Sequence, residues 1–164
     1  MIIRKAEISD SDVIASIYNH YIKNTIITFE EKEVSRDEIS GRIKAVFSDN
    51  LPWIVAEEEN RVTGYAYAAR WKTRSAYRFS VESTVYLEPD SVNNGIGSLL
   101  YNELLLLLKK PGIHVVIGGI SLPNPPSIAL HEKFGFVQAA HFKEVGFKFD
   151  KWIDVGFWQL KFDP

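Results

Sequence analysis

The segment from Ser83 to Ile120 constrains the fold most. It contains a strand-like stretch, STVYLEP, and a glycine turn, SVNNGIGSLL. An apolar helical stretch ending LLLLLKK and a buried-strand stretch, IHVVIGGI, complete it. Strand, helix and strand in that order, with a helix stop at Pro111-Gly112, predict two parallel strands joined by a right-handed crossover. The chain therefore needs a sheet with at least one parallel pair and a helix packed against it.

The flanking segments extend that sheet. Residues 1–7, MIIRKAE, alternate as a short strand. Residues 9–25 place Val13, Ile14, Ile17, Tyr18 and Tyr21 at helical spacing, with Ser9 or Asp10 as the expected cap. Residues 35–47 predict a second helix, in which Ser35 and Glu38 have the spacing of a capping box. Residues 52–71 alternate and break at EEENR, as a β-hairpin does. RFSVESTVYLEP is a longer strand, PPSIALHEKF a short helix with prolines at its start, and residues 136–162 two final strands turning near FDKW. The order β-α-α-β-β-β-α-β-α-β-β in 164 residues predicts an α/β fold: one mixed sheet, helices on both faces, a single domain spanning 1–164.

Bulk properties exclude some functions. The net charge of −2 argues against a nucleic-acid partner held by bulk charge. The absence of cysteine removes disulfides, thiolate metal sites and a cysteine nucleophile. MIIRKAEISD becomes charged at once, unlike a signal peptide, and the apolar run Leu104–Leu108 is too short to span a bilayer. The expectation is a cytoplasmic protein without a membrane partner.

Gly95 and Gly97 stand where the chain leaves a strand and starts a helix. Glycine permits positive φ and close approach of a ligand to the backbone, and the free N–H groups of a first helical turn favour an anion. The turn alone is equally compatible with a ligand-free connection. It is not a Walker loop, since no Gly-Lys-Ser/Thr follows, and Leu100 stands where a dinucleotide fingerprint has its third glycine.

Glu82 is the sharpest chemical candidate. On its strand Arg78, Ser80, Glu82, Thr84 and Tyr86 share one face. A carboxylate in mid-sheet is costly unless it is paired with a nearby Arg or Lys or is functional, for instance as a general base. Lys72 and Arg74, spaced by two in WKTRSAY, are either solvated or present cations to one side of an extended segment.

Taken together, STVYLEP, GIG, IHVVIGGI and PNPPSIALHEKFGF resemble the GNAT superfamily of N-acetyltransferases. TFE (Thr28–Glu30), PWIVAE, GYAYA, WKTRSAYRFSVESTVY, LHEKFGF, VGFK and WIDVGFWQ resemble, more closely, its phosphinothricin and methionine sulfoximine N-acetyltransferases. The resemblance implies a mostly antiparallel sheet with a splayed parallel pair, and acetyl-CoA as co-substrate with no metal. The amides of Asn93, Asn94, Gly95, Ile96, Gly97 and Ser98 would hold its pyrophosphate. Val92 stands where the family has Gln or Arg. Backbone groups of Val85, Tyr86 and Leu87 would meet the pantetheine arm, as would Asn124 and Ser127. Glu82 would be the general base, and His131, where many members have Tyr, is a candidate proton donor to the leaving thiolate.

The resemblance further implies an amino-acid-like acceptor. Lys72 and Arg74 would bind its acidic group, Arg78 and Lys148 a second one, and Phe29 and Tyr77 would wall its apolar stem. It also implies a homodimer, with Trp152, Phe157 and Trp158 as candidate contributors near the interface. The expected reaction is direct transfer from acetyl-CoA to the amino group of phosphinothricin, methionine sulfoximine or methionine sulfone, the chemistry of herbicide resistance. Two other readings are another small amine or amino acid as acceptor, and a non-catalytic acyl-CoA-binding module. The cations Lys72 and Arg74 disfavour polyamines, and an intact Glu82 disfavours a non-catalytic module.

Overall fold

The computed structural model describes residues 1–92 and 94–162. Strand β1 (Ile2–Lys5) precedes helices α1 (Ser11–Asn24) and α2 (Arg36–Ser48). Strands β2 (Trp53–Glu58), β3 (Arg61–Arg70) and β4 (Ser80–Leu87) follow, then α3 (Ile96–Lys109) and β5 (Val115–Ser121). Helix α4 (Pro125–Lys133) and strands β6 (Val137–Lys148) and β7 (Lys151–Lys161) complete the order read from periodicity. Short 3-10 turns at Ile8–Asp10, Ser75–Tyr77 and Pro89–Ser91 lack a periodic signal.

The strands form one seven-stranded sheet in the order β1-β2-β3-β4-β5-β7-β6. Every neighbouring pair is antiparallel except β4 and β5, the parallel pair expected from the Ser83–Ile120 segment. That pair is short: Ser80, Val81 and Glu82 match Val115, Val116 and Ile117, and pairing ends there. β4 runs on to Leu87 and β5 to Ser121, so the sheet opens beyond Glu82. Both tight hairpin turns have positive φ at two successive residues, Glu59 and Asn60 (50° and 63°) and Phe149 and Asp150 (52° and 56°). This geometry matches the right-handed twist of the flanking strands.

Helices cover both faces. α1 packs where β4 presents Tyr86: the Tyr18 and Tyr21 rings lie 5.1 and 5.0 Å from the Tyr86 ring. α3 covers the opposite face, where Tyr101 and Ser83 share a 2.6 Å hydrogen bond between hydroxyls. Leu100, Leu104 and Leu108, four residues apart on α3, are fully buried. Each such side chain contributes about 1.5–3 kcal/mol through burial. The capping box of α2 forms as its spacing predicts, with Glu38 N–H donating to Ser35 Oγ (3.2 Å) and Ser35 N–H to the Glu38 carboxylate (2.7 Å). The expected Asp10 side-chain cap on α1 does not form. Asp10 instead accepts from Glu7 N–H (2.8 Å) and from both terminal nitrogens of Arg4, and that pairing holds its carboxyl below the usual range despite burial.

Candidate active site

Two cavities meet at the opening in the sheet, and Ile27 lines both. The first, about 390 Å³, lies between the free end of β4, the start of α3 and one side of α4. Val85, Tyr86 and Leu87 line it, as do Gly95, Gly97, Ser98, Asn124 and Ser127. The separate segments singled out in the sequence thus converge on one cleft. Asn93 lies outside the described residues.

The local geometry explains the cleft. Gly95 precedes α3 with φ 79°, a left-handed conformation that glycine adopts without strain. Ile96, Gly97 and Ser98 form the first turn of α3, whose N–H groups have no partner within the helix. They and the helix dipole point toward the carboxyl end of β4, an arrangement that would favour an anion there. Gly97 has room for a Cβ, whose nearest neighbour would be Leu87 at 3.6 Å, so the protein interior does not itself demand glycine there. Asn124 does two things: its Oδ1 accepts from Ser127 N–H (3.3 Å), capping α4, and it lines the cleft.

Sequence reasoning missed two groups here. Lys133, in the last turn of α4, lines the cleft and donates from Nζ to Ser98 Oγ at 2.9 Å. It brings a cation to that first turn of α3, where Val92 has none to offer, through a contact spanning 35 positions that no local motif signals. Tyr21 was legible only as an apolar position of α1. Its hydroxyl donates to the Leu87 carbonyl (2.6 Å), satisfying one backbone group on the unpaired end of β4.

The second cavity, about 480 Å³, lies on the other side of the gap. Phe29, Phe142, Val145, Val155 and Phe157 give it apolar walls, while Glu82, Gly119 and Ser121 line its strand side. Glu82 makes no ion pair or hydrogen bond among the described residues, which removes the alternative of a structural pair. Burial pushes its carboxyl above the ordinary value near 4.5, and the charge of Lys72 opposes that shift. The carboxylate lies over Gly119, where a Cβ would come within 3.1 Å of both Glu82 Oε1 and the Phe157 ring.

His131 belongs to the opposite face. A Cβ on Gly118 would collide with His131 Nε2, whereas one on Gly119 would meet Glu82. These adjacent residues on β5 point to opposite sides of the sheet, so the structure does not bring the two candidate catalytic groups together. His131 is buried, with Nδ1 2.7 Å from the Ser127 carbonyl and its ring against Tyr101 and Phe136. Burial pushes the imidazole below its ordinary value, favouring the neutral form. A carbonyl only accepts, so Nδ1 carries the proton and Nε2 is bare.

The candidate acceptor-binding residues separate into three groups. Phe29 lines the second cavity. Lys72, Arg74, Tyr77 and Arg78 occupy the exposed loop between β3 and β4 and do not line it. Lys72 stands nearest the cavity: its ammonium lies over the Trp71 ring (5.0 Å), which meets Phe157 edge-on (5.4 Å). Arg78 stacks over Phe79 and donates to the Ser75 carbonyl (3.2 Å). Lys148 is 2% exposed and donates to the Thr28 carbonyl at 2.7 Å, so it braces a backbone segment instead of facing the cavity.

That segment is a strap, residues 25–31, which carries Ile27 and Phe29. Arg42 of α2 makes two hydrogen bonds to the Glu30 carboxylate, at 2.9 and 2.6 Å. The Tyr18 hydroxyl bonds both Glu30 and Thr28. On the far side Phe29 lies against Gly146, where any Cβ would strike its ring. The strap is thus tied to α1, α2 and β6, and those ties place the apolar wall shared by the two cavities.

The chain matches known proteins over most of its length. Residues 3–156 match the family model for the GNAT acetyltransferase domain. A phosphinothricin N-acetyltransferase of Streptomyces viridochromogenes is 39% identical over 161 residues, covering 98% of this chain and 87% of the relative. An L-methionine sulfoximine/L-methionine sulfone acetyltransferase of Salmonella typhimurium is 35% identical over 163 residues, covering 99% and 95%. Among solved structures, a GNAT superfamily phosphinothricin acetyltransferase from Sinorhizobium meliloti in complex with acetyl-CoA superposes with a TM-score of 0.95 at 36% identity, covering 98% of this chain and 87% of that one. With its sheet opening beyond Glu82 and a family match over residues 3–156, the chain belongs to the GNAT family of acetyltransferases.

Proposed function

We propose that the protein transfers the acetyl group of acetyl-CoA to the amino group of phosphinothricin, methionine sulfoximine, methionine sulfone or a closely similar amino acid. One observation carries this reading: an unpaired, half-buried carboxylate, Glu82, in an apolar cavity beside the first turn of α3 at a gap in the sheet. The first cavity suits acetyl-CoA. The amides of Ile96, Gly97 and Ser98, with Asn94 and Gly95 leading into them, would hold the pyrophosphate, and Lys133 would add a cation. The β5-facing edge of β4 around Val85 and Tyr86, where pairing with β5 has ended, with Asn124 and Ser127, would meet the pantetheine arm. When bound, acetyl-CoA supplies an activated acetyl group.

The chain's own residues would act on the acceptor. An amine with a pKa two or three units above neutral costs about 3–4 kcal/mol to deprotonate at neutral pH. Glu82, whose pKa burial raises, is a better base than an exposed carboxylate, and such a group contributes roughly 10²–10⁴-fold. The free amine then forms the C–N bond, a second proton leaves the nitrogen, and the C–S bond breaks. The balance is one amide, one thiol and one proton released to solvent. His131, with its bare Nε2, acts as a structural group, and the thiolate leaves without its help. Phe29, with Tyr77, would contact the acceptor's stem. Lys72, with Arg74 and Arg78 on the same loop, would meet its anionic groups, and Lys148 would act through the strap.

The apolar walls also favour a second reading, in which an ordinary amino acid with a methionine-like side chain is the physiological acceptor. Both readings are tested by thiol release from acetyl-CoA across a panel of phosphinothricin, methionine sulfoximine, methionine sulfone, methionine and a polyamine. Turnover with one of the first three, and none with the polyamine, is expected. Turnover of the polyamine alone would overturn the proposal. We also assign a second copy of the chain to the exposed apolar hairpin β6–β7, where Phe142, Val145, Phe147 and Trp152 are at least half exposed. A monomeric mass in solution would refute that assignment.

A further inference from the structure

Among the described residues three buried polar side-chain atoms have no hydrogen-bond partner: Ser11 Oγ, Trp53 Nε1 and Ser121 Oγ. Of these residues, Ser121 lines the cavity that holds Glu82. Ser121 is 6% exposed and stands at the end of β5, past the point where β4 stops pairing with it. Its neighbour on the other side is Val155 of β7, whose side chain offers no polar group. The hydroxyl thus lies without a partner beside a cavity whose other walls, Val155, Phe157 and Ile27 among them, are largely apolar. Folded proteins keep few such groups, because an unmade hydrogen bond in a dry place is costly.

The register says what could satisfy it. Glu82 is level with Ile117, and side chains of Ile117, Gly119 and Ser121 share its face of the sheet. The carboxylate reaches over Gly119, which has no side chain to intrude. Same-face residues on a strand are about 6.6 Å apart, twice a rise of about 3.3 Å. A tetrahedral nitrogen making two hydrogen bonds of about 2.9 Å sets its acceptors about 4.7 Å apart, which the two side chains reach by leaning toward each other over Gly119.

We propose that Ser121 is a specificity residue of the acceptor site: its Oγ accepts one N–H of the acceptor's primary amine, lodged above Gly119, while Glu82 holds another. Rotation of the hydroxyl between staggered positions is enough to turn it from the wall to the occupant. Two fixed N–H directions limit rotation about the amine's C–N bond and keep the nitrogen at the gap between β4 and β5. This rests on the reading that the cavity takes an amine acceptor.

The test is Ser121→Ala in the full chain, assayed with an acceptor from the panel. We expect kcat/KM for the acceptor to fall about 10- to 100-fold, with the KM for acetyl-CoA unchanged. The thermal midpoint should stay level or rise, because the substitution removes an unpaired buried hydroxyl. A merely structural serine would lower activity and stability together, and that result would overturn the proposal. So would an unchanged kcat/KM. As a second measure, wild type should disfavour an N-methylated acceptor more strongly than Ser121→Ala does, and equal discrimination refutes the amine contact. A wild-type protein that binds acetyl-CoA yet acetylates no amine would sink the functional reading and this inference together. A working wild type with an indifferent Ser121→Ala would sink this inference alone.

Discussion

The two cavities that meet at Ile27 are built from different material. The side proposed for the acetyl donor is made largely of backbone: the end of β4 beyond its pairing with β5, the first turn of α3 and the capped start of α4. The side proposed for the acceptor is made of side chains from five separate stretches, around Phe29, Glu82, Ser121, Phe142 and Phe157. Backbone donors are the same whatever residue carries them, so a cradle of amides would not depend on the side chain of Val92. The acceptor side has no such tolerance, because each wall is a particular side chain held by a particular neighbour.

Substitutions at three positions break or sharpen that contrast. The largest effect is expected for Glu82→Gln, which should lower kcat about 10²–10⁴-fold while leaving the KM for acetyl-CoA within twofold. Wild-type kcat/KM should rise with pH through the raised pKa of Glu82, since only the carboxylate is a base; a pH–rate profile of the variant should lack that limb. Gly95→Val attacks the donor side. A β-branched residue at φ 79° is strained, so the turn should shift and raise the KM for acetyl-CoA about 10- to 100-fold, with acceptor KM little changed. Steady-state kinetics with each substrate varied in turn reads both constants, and a rise confined to acceptor KM would show the cradle to be elsewhere. Arg42→Met should do the reverse on a smaller scale. Loosening Glu30 frees the strap that carries Phe29, so acceptor KM should rise about 5- to 10-fold and acetyl-CoA KM stay near wild type. Arg42→Lys should recover part of the loss. Equal changes in both constants would mean that the strap serves the whole fold and not one cavity.

The same contrast explains what was legible in the sequence. Apart from Tyr21 and Ile27, the residues lining the first cavity fall in two compact runs, 85–98 and 124–133, and each run has a local signature, strand into glycine turn and Asn-Pro into helix, although neither signals the Lys133–Ser98 contact. Periodicity also yielded every strand and α-helix, and spacing yielded the Ser35–Glu38 box. The acceptor side resisted because its geometry is non-local. Nothing in SVEST says that β4 stops pairing after Glu82; that depends on where β5 diverges. Lys148 reads as a free cation until Thr28, 120 positions away, is seen to take its proton donor. His131 occupies a promising motif position, and only the fold reveals Gly118 above it. Asp10 reads as a cap because Arg4 and Glu7 are neighbours whose competition for it no spacing rule records.

Gly118 and Gly119 together set where this enzyme can change. A side chain added at Gly118 would strike a buried ring with no room to retreat, so that face of β5 is frozen. One added at Gly119 would press only on the end of Glu82 and on Phe157, both at a cavity surface. Substitution at Gly118 should therefore cost the fold, whereas substitution at Gly119 should leave the fold standing and displace Glu82 and the amine proposed to lodge above it.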